Sequence, residues 1–516
     1  MTENYLNILA ETIRNNWNQP ALTDFYLTED GTAQDTSRGN HYTYGEMYAE
    51  ICRVANLLTS LGLKKGDHIA ICGANSAHWV IAYLAIAKMQ GVSVTVMHTL
   101  MPDEIARLVA FSDAKALFTD EDLWEELKEQ SLQQLESVIA LEDWNVLFGK
   151  KQIINHKFEI INRECEFDPV PPDDLAMICF TSGTSGSAKG VMLSYGNITA
   201  SLTETAKAYI EPVIKTLPMS NKNSTAFLPI AHAFGWGGNM IPLTYGIKIN
   251  LCSHPLLPEI IVKILRITHS FLLFIVPTTI QSVIKGQFDV LDIFKDVKFL
   301  VVGGAQFIKG EQKLIKAGVP ISLVYGTTET TAPVTLSPKI GYRIGSCGRI
   351  IDTLSARISP TGEILVKGEN VMLGYYKDPE ATAAKIDADG WLHTGDKGHL
   401  DEDGYLYVEG RLEQDIIVLP NGENIRPDHI ESLINALPEV SESIVLARDG
   451  KLVAIVVPDS QMSNHKLQIT NTDLRRMIMR KVNPSLPLFS QLYDVEITDQ
   501  PLARTEKQTL KRYLYK

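Results

Sequence analysis

Cysteine is scarce and scattered. The chain has 6 in 516 residues, at Cys52, Cys72, Cys165, Cys179, Cys252 and Cys347, and no two form a CxxC pair. That spacing excludes a disulfide framework and a thiolate zinc site, and points to buried thiols in a reducing compartment. Positive charge is in deficit: 48 Lys and Arg stand against 61 Asp and Glu, a formal charge of −13. A general nucleic-acid or anionic-membrane binder needs clustered positive charge, so nucleic acid is excluded as a partner. Long apolar runs are also missing. The most apolar stretch, Phe271-Leu-Leu-Phe-Ile-Val-Pro277, is too short to span a bilayer and follows Lys263, Arg266 and His269. No transmembrane segment is expected, though peripheral membrane contact stays open. The opening residues, Met1-Thr-Glu-Asn-Tyr5, lack the basic and apolar regions of a signal peptide, so the expected location is cytoplasmic. There is no internal repeat or low-complexity segment.

What remains is an ordinary globular composition, 45% hydrophobic and 21% charged, on a chain too long for one compact core. At least two domains are expected. To about residue 150, amphipathic helices alternate with short apolar strands. Thr43 and Glu46 are spaced as a capping box, and His68–Cys72 and Val92–Val96 read as strands on either side of a helix from Ala77 to Met89. This βαβ rhythm implies a parallel sheet covered by helices. It returns in Ile247–Cys252, Pro258–Ile267, Leu272–Val276, Val297–Gly303 and Ser322–Tyr325. From about Gly345 the strands become short and hairpin-like. After Arg411 the chain starts again as an α+β unit, with Asn421-Gly422 as a hairpin turn, a helix from Pro427 to Leu437 and another from Leu474 to Lys481. The expected organisation is a large N-terminal α/β domain, 1–411, with mixed or parallel sheets and a β-rich subdomain at about 345–411, and a small mobile α+β domain, 412–516.

One stretch organises the chemistry: Phe180-Thr181-Ser182-Gly183-Thr184-Ser185-Gly186-Ser187-Ala188-Lys189-Gly190. An apolar strand, Leu175–Phe180, precedes it, and Asn197–Leu202 reads as a helix after it, so the loop is placed between a strand and a helix. Glycines let the backbone approach a ligand, and successive bare N–H groups with hydroxyls and one ammonium make an anion cradle. A Ser/Gly linker has no need of the Lys beside a buried strand. The Walker pattern fails too, since two residues separate Gly186 from Lys189.

The stretch resembles the signature loop of the acyl-adenylate-forming (AMP-binding) superfamily, Thr-Ser-Gly-Thr-Ser/Thr-Gly-x-Pro-Lys-Gly-Val, with Ala188 where Pro is usual. Further motifs follow in that superfamily's order. Leu228-Pro229-Ile230-Ala231-His232-Ala233-Phe234-Gly235 resembles its Leu-Pro-x-x-His-x-x-Gly element, whose His lies at the mouth of the acyl pocket; a lone His beside apolar residues also reads as a core histidine. Trp236 reads equally as a tunnel lining or as core. Gly303-Gly304-Ala305 resembles the wall of the acyl and adenine pocket, or a simple turn. Tyr325-Gly326-Thr327-Thr328-Glu329 follows a strand, where ligands bind in open α/β sheets. By resemblance Tyr325 stacks on adenine, Thr328 reaches the α-phosphate and Glu329 holds Mg²⁺, which takes one or two protein oxygens beside phosphates. Gly362–Gly368, Gly374-Tyr375-Tyr376, Pro379–Thr382 and Asp389–Asp396 also match. The resemblance assigns Asp396 to the ribose hydroxyls and Arg411 to ribose and phosphate.

The tail departs from the pattern. The superfamily ends on Thr-x-x-Gly-Lys, and alignment from Thr505 puts Thr509 at the Lys position, with Lys507 and Lys511 two residues to either side. In an extended segment the three share a face. The implied reaction uses Thr181, Lys189, His232, Glu329, Arg411 and either Lys507 or Lys511. Thr181, Ser182, Gly183, Thr184, Ser185, Gly186 and Lys189 hold ATP, with Gly303, Gly304, Ala305, Tyr325, Gly326, Thr327, Thr328, Asp396 and Arg411. The expectation is an ATP- and Mg²⁺-dependent fatty acid–CoA ligase for a medium- or long-chain fatty acid or other apolar carboxylate. Two alternatives stand beside it: an acyl-AMP ligase that loads an acyl carrier protein instead of coenzyme A, and a non-catalytic nucleotide- or acyl-binding relative.

Overall fold

The computed structural model describes residues 4–29, 31–149, 165–181, 188–218, 222–253, 257–286, 288–304, 311–337, 342–412, 417–418, 424–425, 427–448, 451–459, 470–486, 490–504, 510 and 512–515. It divides into two compact units, 1–394 with 398–408, and 395–397 with 409–516. Among the described residues no helix is long and apolar enough to cross a membrane.

The first unit is built on two large sheets. One has eight strands in the order Gly374–Tyr375, Lys189–Ser194, Leu175–Thr181, Val92–Thr95, His68–Cys72, Ala116–Thr119, Ser137–Ala140, Val146–Gly149. The five from Leu175–Thr181 to Ser137–Ala140 are parallel, and antiparallel strands add at both edges. The second has seven strands, Ile321–Leu323, Phe299–Val302, Leu272–Ile275, Asn223–Ala226, Lys248–Leu251, Pro20–Asp24 and His41–Thr43, parallel except for the last. Parallel strands need crossover helices that cover both faces.

Two of those helices are apolar on every side, Ala77–Lys88 and Ala233–Thr244. A helix of that kind belongs in the interior. Both lie in the largest core, which takes Ile69 and Ile71 from the first sheet and Leu22, Ile249 and Leu272 from the second. Trp236 is part of this core, 3% exposed and edge-on to Tyr83 at 5.5 Å, so its role is packing. All six cysteines are free and four are buried; burial pushes the Cys165 thiol up to about 12. A smaller antiparallel sheet, Leu354–Ile358, Glu363–Gly368, Leu392–Leu400 and Leu406–Arg411, accounts for the hairpin-like sequence after Gly345.

The second unit has a three-stranded sheet, Val440–Arg448, Lys451–Pro458 and Asp494–Ile497, covered by the helices Pro427–Asn435 and Asn471–Val482. Its core is Ile430, Ile434, Val445, Ala454, Leu474 and Ile478 with their neighbours.

One expectation is overturned. The Ser/Gly-rich loop does not run from a strand into a helix; it joins two antiparallel strands, Leu175–Thr181 and Lys189–Ser194, paired from Leu175↔Ser194 to Thr181↔Lys189. The helix starts only at Tyr195, where Ser194 caps it reciprocally with Asn197. Val191 and Leu193 bury one face of the intervening segment in a strand rhythm, and the cap sets the helix start four residues further on.

Candidate active site

The hairpin fixes both ends of the anion loop. Thr181 is 6% exposed and its Oγ1 donates to the Lys189 carbonyl at 3.4 Å, so the two residues share a rung. Ser182, Gly183, Thr184, Ser185 and Gly186 lie outside the described residues, as does Ala305.

Gly374–Tyr375 adds to the outer edge of this hairpin, with Gly374 opposite Met192 and Tyr375 opposite Val191. Gly374, at φ 142°, brings its backbone against Thr382; a Cβ there would lie 2.8 Å from Thr382 Cγ2. Thr382 Oγ1 in turn accepts from the Tyr375 N–H at 2.9 Å. Tyr375 is thereby inserted, 5% exposed, with its ring 4.9 Å from the Lys189 ammonium and its hydroxyl donating to Glu329 Oε1 at 2.9 Å. The structure thus brings together Lys189 and Glu329, more than a hundred residues apart in sequence, through a residue that lay in a matched motif without an assigned role. The signal was the tyrosine itself, in a strand-edge Gly-Tyr pair beside the loop.

Glu329 sits in a 3₁₀ turn, Thr328–Thr330, capped by Thr327, whose N–H donates to Thr330 Oγ1 at 2.9 Å. The turn is tied to the same segment as Tyr375: the Met372 N–H donates to the Glu329 carbonyl at 2.9 Å, and Thr331 Oγ1 to the Asn370 carbonyl at 2.8 Å. Gly326 makes its close return possible, since a Cβ there would be 3.0 Å from Ala332 Cα. Tyr325 is half-buried and pairs with Thr335 across an isolated bridge. Gly303 and Gly304 follow the strand Phe299–Val302. A Cβ on Gly303 would lie 2.8 Å from Val324 Cγ2 and 3.2 Å from Phe234 Cζ, and Gly304 takes φ 86°. Phe234 meets Phe274 edge-on at 6.0 Å, giving an apolar wall beside the two glycines.

His232 caps the helix Ala233–Thr244: its Nδ1 accepts from the Phe234 N–H at 3.3 Å. Gly235 seats this turn, since a Cβ there would meet the Pro229 carbonyl oxygen at 2.0 Å.

Below the hairpin lies a cavity of about 190 Å³, whose lining includes Arg107, Phe111, Lys189, Tyr375, Tyr376 and Lys377. Lys377 pairs with Asp113 at 2.7 Å, and Tyr376 donates to the same carboxylate at 2.8 Å. Burial pushes the Tyr376 phenol up to about 12, with Asp113 reinforcing the shift, while Lys377 holds the Asp113 carboxyl below its ordinary value.

Within the second unit, Arg411 Nε lies 3.0 Å from Asp396 Oδ1, and Asp396 is 6% exposed. Lys507, Thr509 and Lys511 and the Asn421-Gly422 turn lie outside the described residues.

For Mg²⁺ the donor set fits one mode of binding. Among the described residues there is no group of three His, Cys, Asp or Glu side chains that could hold a metal by itself. A single carboxylate beside an anion loop suits an ion that keeps its waters and arrives with phosphate.

Comparisons with known proteins show the family. Residues 9–376 match the AMP-binding enzyme family and residues 414–515 the AMP-binding enzyme C-terminal domain, and the chain belongs to that family of acyl-adenylate-forming enzymes. It is 30% identical over 430 residues to a 2-succinylbenzoate–CoA ligase of Oceanobacillus iheyensis, covering 81% of this chain and 83% of that one. It is 26% identical over 521 residues to the 4-coumarate–CoA ligase-like 2 protein of Arabidopsis thaliana, covering 92% and 87%. The ATP-bound MatB of Rhodopseudomonas palustris shares the fold, with a TM-score of 0.80 at 23% identity over 99% of this chain and 98% of that one.

Proposed function

We propose that this protein is an AMP-forming acid–CoA ligase for an apolar carboxylate. Family membership supports an acid–thiol ligase. The observation that carries the reading is the juxtaposition of Lys189 and Glu329 on Tyr375, which sets a phosphate-binding cation and a metal-suited carboxylate at one site.

In the first half-reaction a carboxylate oxygen attacks the α-phosphorus of ATP. The bond from that phosphorus to the bridging oxygen breaks, and pyrophosphate leaves. In the second, the CoA sulfur attacks the acyl carbonyl of the mixed anhydride, the thiol proton is lost and AMP departs. Such transfers depend on positioning and charge stabilisation. Thr181 and Lys189 hold the departing pyrophosphate. Thr328 reaches the α-phosphate, Tyr325 lies against adenine, and His232 serves the acyl end. Asp396 and Arg411 serve the ribose, and Lys507 or Lys511 serves the α-phosphate. Mg²⁺ on Glu329 offsets phosphate charge when bound.

An apolar acid is supported by Phe234, Phe274 and Val324, which pack beside Gly303. A medium- or long-chain fatty acid suits that wall. A second reading, an aromatic acid, is favoured by relatives named for 4-coumarate and 2-succinylbenzoate. ATP–pyrophosphate exchange with a panel of fatty and aromatic acids tests the proposal. Exchange above background with one class selects it, and background exchange with all of them while ATP still binds refutes the ligase. CoA against a phosphopantetheinyl carrier protein then decides the acceptor.

A further inference from the structure

The strand Asn223–Ala226 leaves its sheet through Phe227-Leu228-Pro229, just ahead of the turn that carries His232. Pro229 has no N–H to offer a neighbour, and Leu228 and Ile230 on either side of it are buried. Their backbone groups are paired by a side chain that follows a strand of the other sheet. Asn75 Nδ2 donates to the Leu228 carbonyl at 2.8 Å, and Asn75 Oδ1 accepts from the Ile230 N–H at 2.9 Å. A side-chain amide offers a donor and an acceptor together, so Asn75 brackets the proline as a neighbouring strand would. We propose that Asn75 is a positioning residue for the acyl end of the site: it sets the Leu228–Ile230 segment, and through it the turn of His232 and the helix that presents Phe234 to the acid. This rests on the ligase reading for its ligand, the carboxylic acid.

The segment that Asn75 holds has little slack toward the site. The Pro229 carbonyl accepts from the His232 N–H at 3.2 Å, and the Gly235 backbone lies so close to the same oxygen that a Cβ would stand 2.0 Å from it. Movement of Leu228–Ile230 is therefore passed to the start of the helix Ala233–Thr244. Phe234, in its first turn, reaches Gly303, where a Cβ would be 3.2 Å from Phe234 Cζ, and meets Phe274 edge-on. The other end of the link is anchored too. The Ala74 N–H donates to Asp120 Oδ2 at 2.9 Å, and a Cβ on Gly73 would fall 2.3 Å from Leu141 Cδ1. Ser76 caps the buried helix Ala77–Lys88 by accepting from the Trp79 N–H at 3.1 Å, and the Ala77 N–H donates to Asp24 Oδ1 at 2.6 Å. Asn75 thus joins a fixed point beside the first sheet to the mobile-ended segment of the second, and acts on the acid through Pro229.

Pyrophosphate exchange by the full chain, with the best acid of the panel, tests this through the separate KM values for acid and ATP. Asn75→Ala leaves the Leu228 carbonyl and the Ile230 N–H without their partner. It is expected to raise the acid KM about tenfold, a difference of about 1.4 kcal/mol, while the KM for ATP stays within about twofold of wild type. A merely structural bond lowers the urea midpoint and the number of ATP-binding sites counted by calorimetric titration, but leaves the acid KM of the folded fraction where it was. An acid KM within about twofold of wild type, or acid and ATP KM values that rise together, overturns the proposal. Should Asn75→Ala not fold, Asn75→Asp decides. It keeps the side chain's shape and the acceptor for Ile230 and loses the donor to Leu228, and its acid KM is expected to rise at least about threefold with that for ATP unmoved; an unmoved acid KM overturns the proposal. Wild-type exchange with an unmoved acid KM in the variant refutes the positioning role alone, and background exchange by wild type with every acid refutes the ligase reading and the proposal with it.

Discussion

Replacing Gly235 with alanine tests why the Leu-Pro-x-x-His-x-x-Gly element ends on glycine. The residue lies in the first turn of the buried helix Ala233–Thr244, three positions after the capping His232. A Cβ at this position would stand 2.0 Å from the Pro229 carbonyl oxygen, 2.7 Å from its carbon and 3.2 Å from Leu228 Cβ. Real Cβ contacts do not fall below 3.0 Å, so helix and carbonyl must part by about 1 Å. The obstruction is backbone, so no rotamer change relieves it. The helix cannot simply recede either, because a Cβ on Gly238, on the same helix, would already be 3.0 Å from Phe274 Cβ. Overpacking of a tight interior costs about 1–3 kcal/mol, occasionally more, and the rigid partners place Gly235→Ala at about 3 kcal/mol. Urea unfolding followed by tryptophan fluorescence measures the loss in the first unit. Because the turn also carries His232, exchange with the best acid is expected to fall together with stability, while ATP affinity holds. A variant as stable as wild type to within about 0.5 kcal/mol refutes the close approach and the account of the motif with it.

Other perturbations reach different parts of the molecule. Arg512 forms a double contact with Glu431, their side chains 13% and 9% exposed, and Glu431 Oε1 also accepts from the Val445 N–H at 2.6 Å. Arg512→Ala strands a buried carboxylate and is expected to destabilise the second unit by about 3–5 kcal/mol, read as earlier limited proteolysis after Arg411. Asn197 joins the helix cap to the segment carrying Tyr375, donating to the Glu369 and Val371 carbonyls at 2.6 and 2.9 Å while accepting from the Ser194 N–H at 2.9 Å. Asn197→Ala is expected to cost about 2–3 kcal/mol by urea unfolding. Burial raises the Asp120 carboxyl above its ordinary value despite the Ala74 N–H that donates to it at 2.9 Å. The folded state therefore favours the protonated acid: the stability Asp120 contributes is fully present below the unfolded pKa and is lost as pH rises through the folded one. The melting temperature of Asp120→Asn minus that of wild type should then grow as pH rises from about 4 upward; a constant difference refutes the assignment.

Much of this protein was legible in the sequence. Hydrophobic rhythm placed the strands His68–Cys72 and Val92–Thr95 and the helix Ala77–Lys88 nearly to the residue, because burial on one or both faces leaves its period in the chain. Local capping was equally readable: Thr43 and Glu46 form the reciprocal cap their spacing implies. Motif order identified the superfamily, since glycines and hydroxyls at fixed offsets follow from the backbone needs of an anion loop. The hairpin around that loop was not legible. Lys189–Ser194 is too short and apolar for its period to distinguish a strand from a turn into a helix; pairing with Leu175–Thr181 decided it. Tyr375 was present in a matched motif, but nothing local marks that tyrosine as the residue that meets both Lys189 and Glu329. Its meaning comes from an edge strand that a long crossover brings beside Lys189 and from a turn that carries Glu329 to its hydroxyl. Composition, period and motif spacing are properties of neighbours along the chain, and they determined the class of protein and the inventory of its chemistry. Which of those groups share a site depends on contacts between distant segments, and only the tertiary structure decided that.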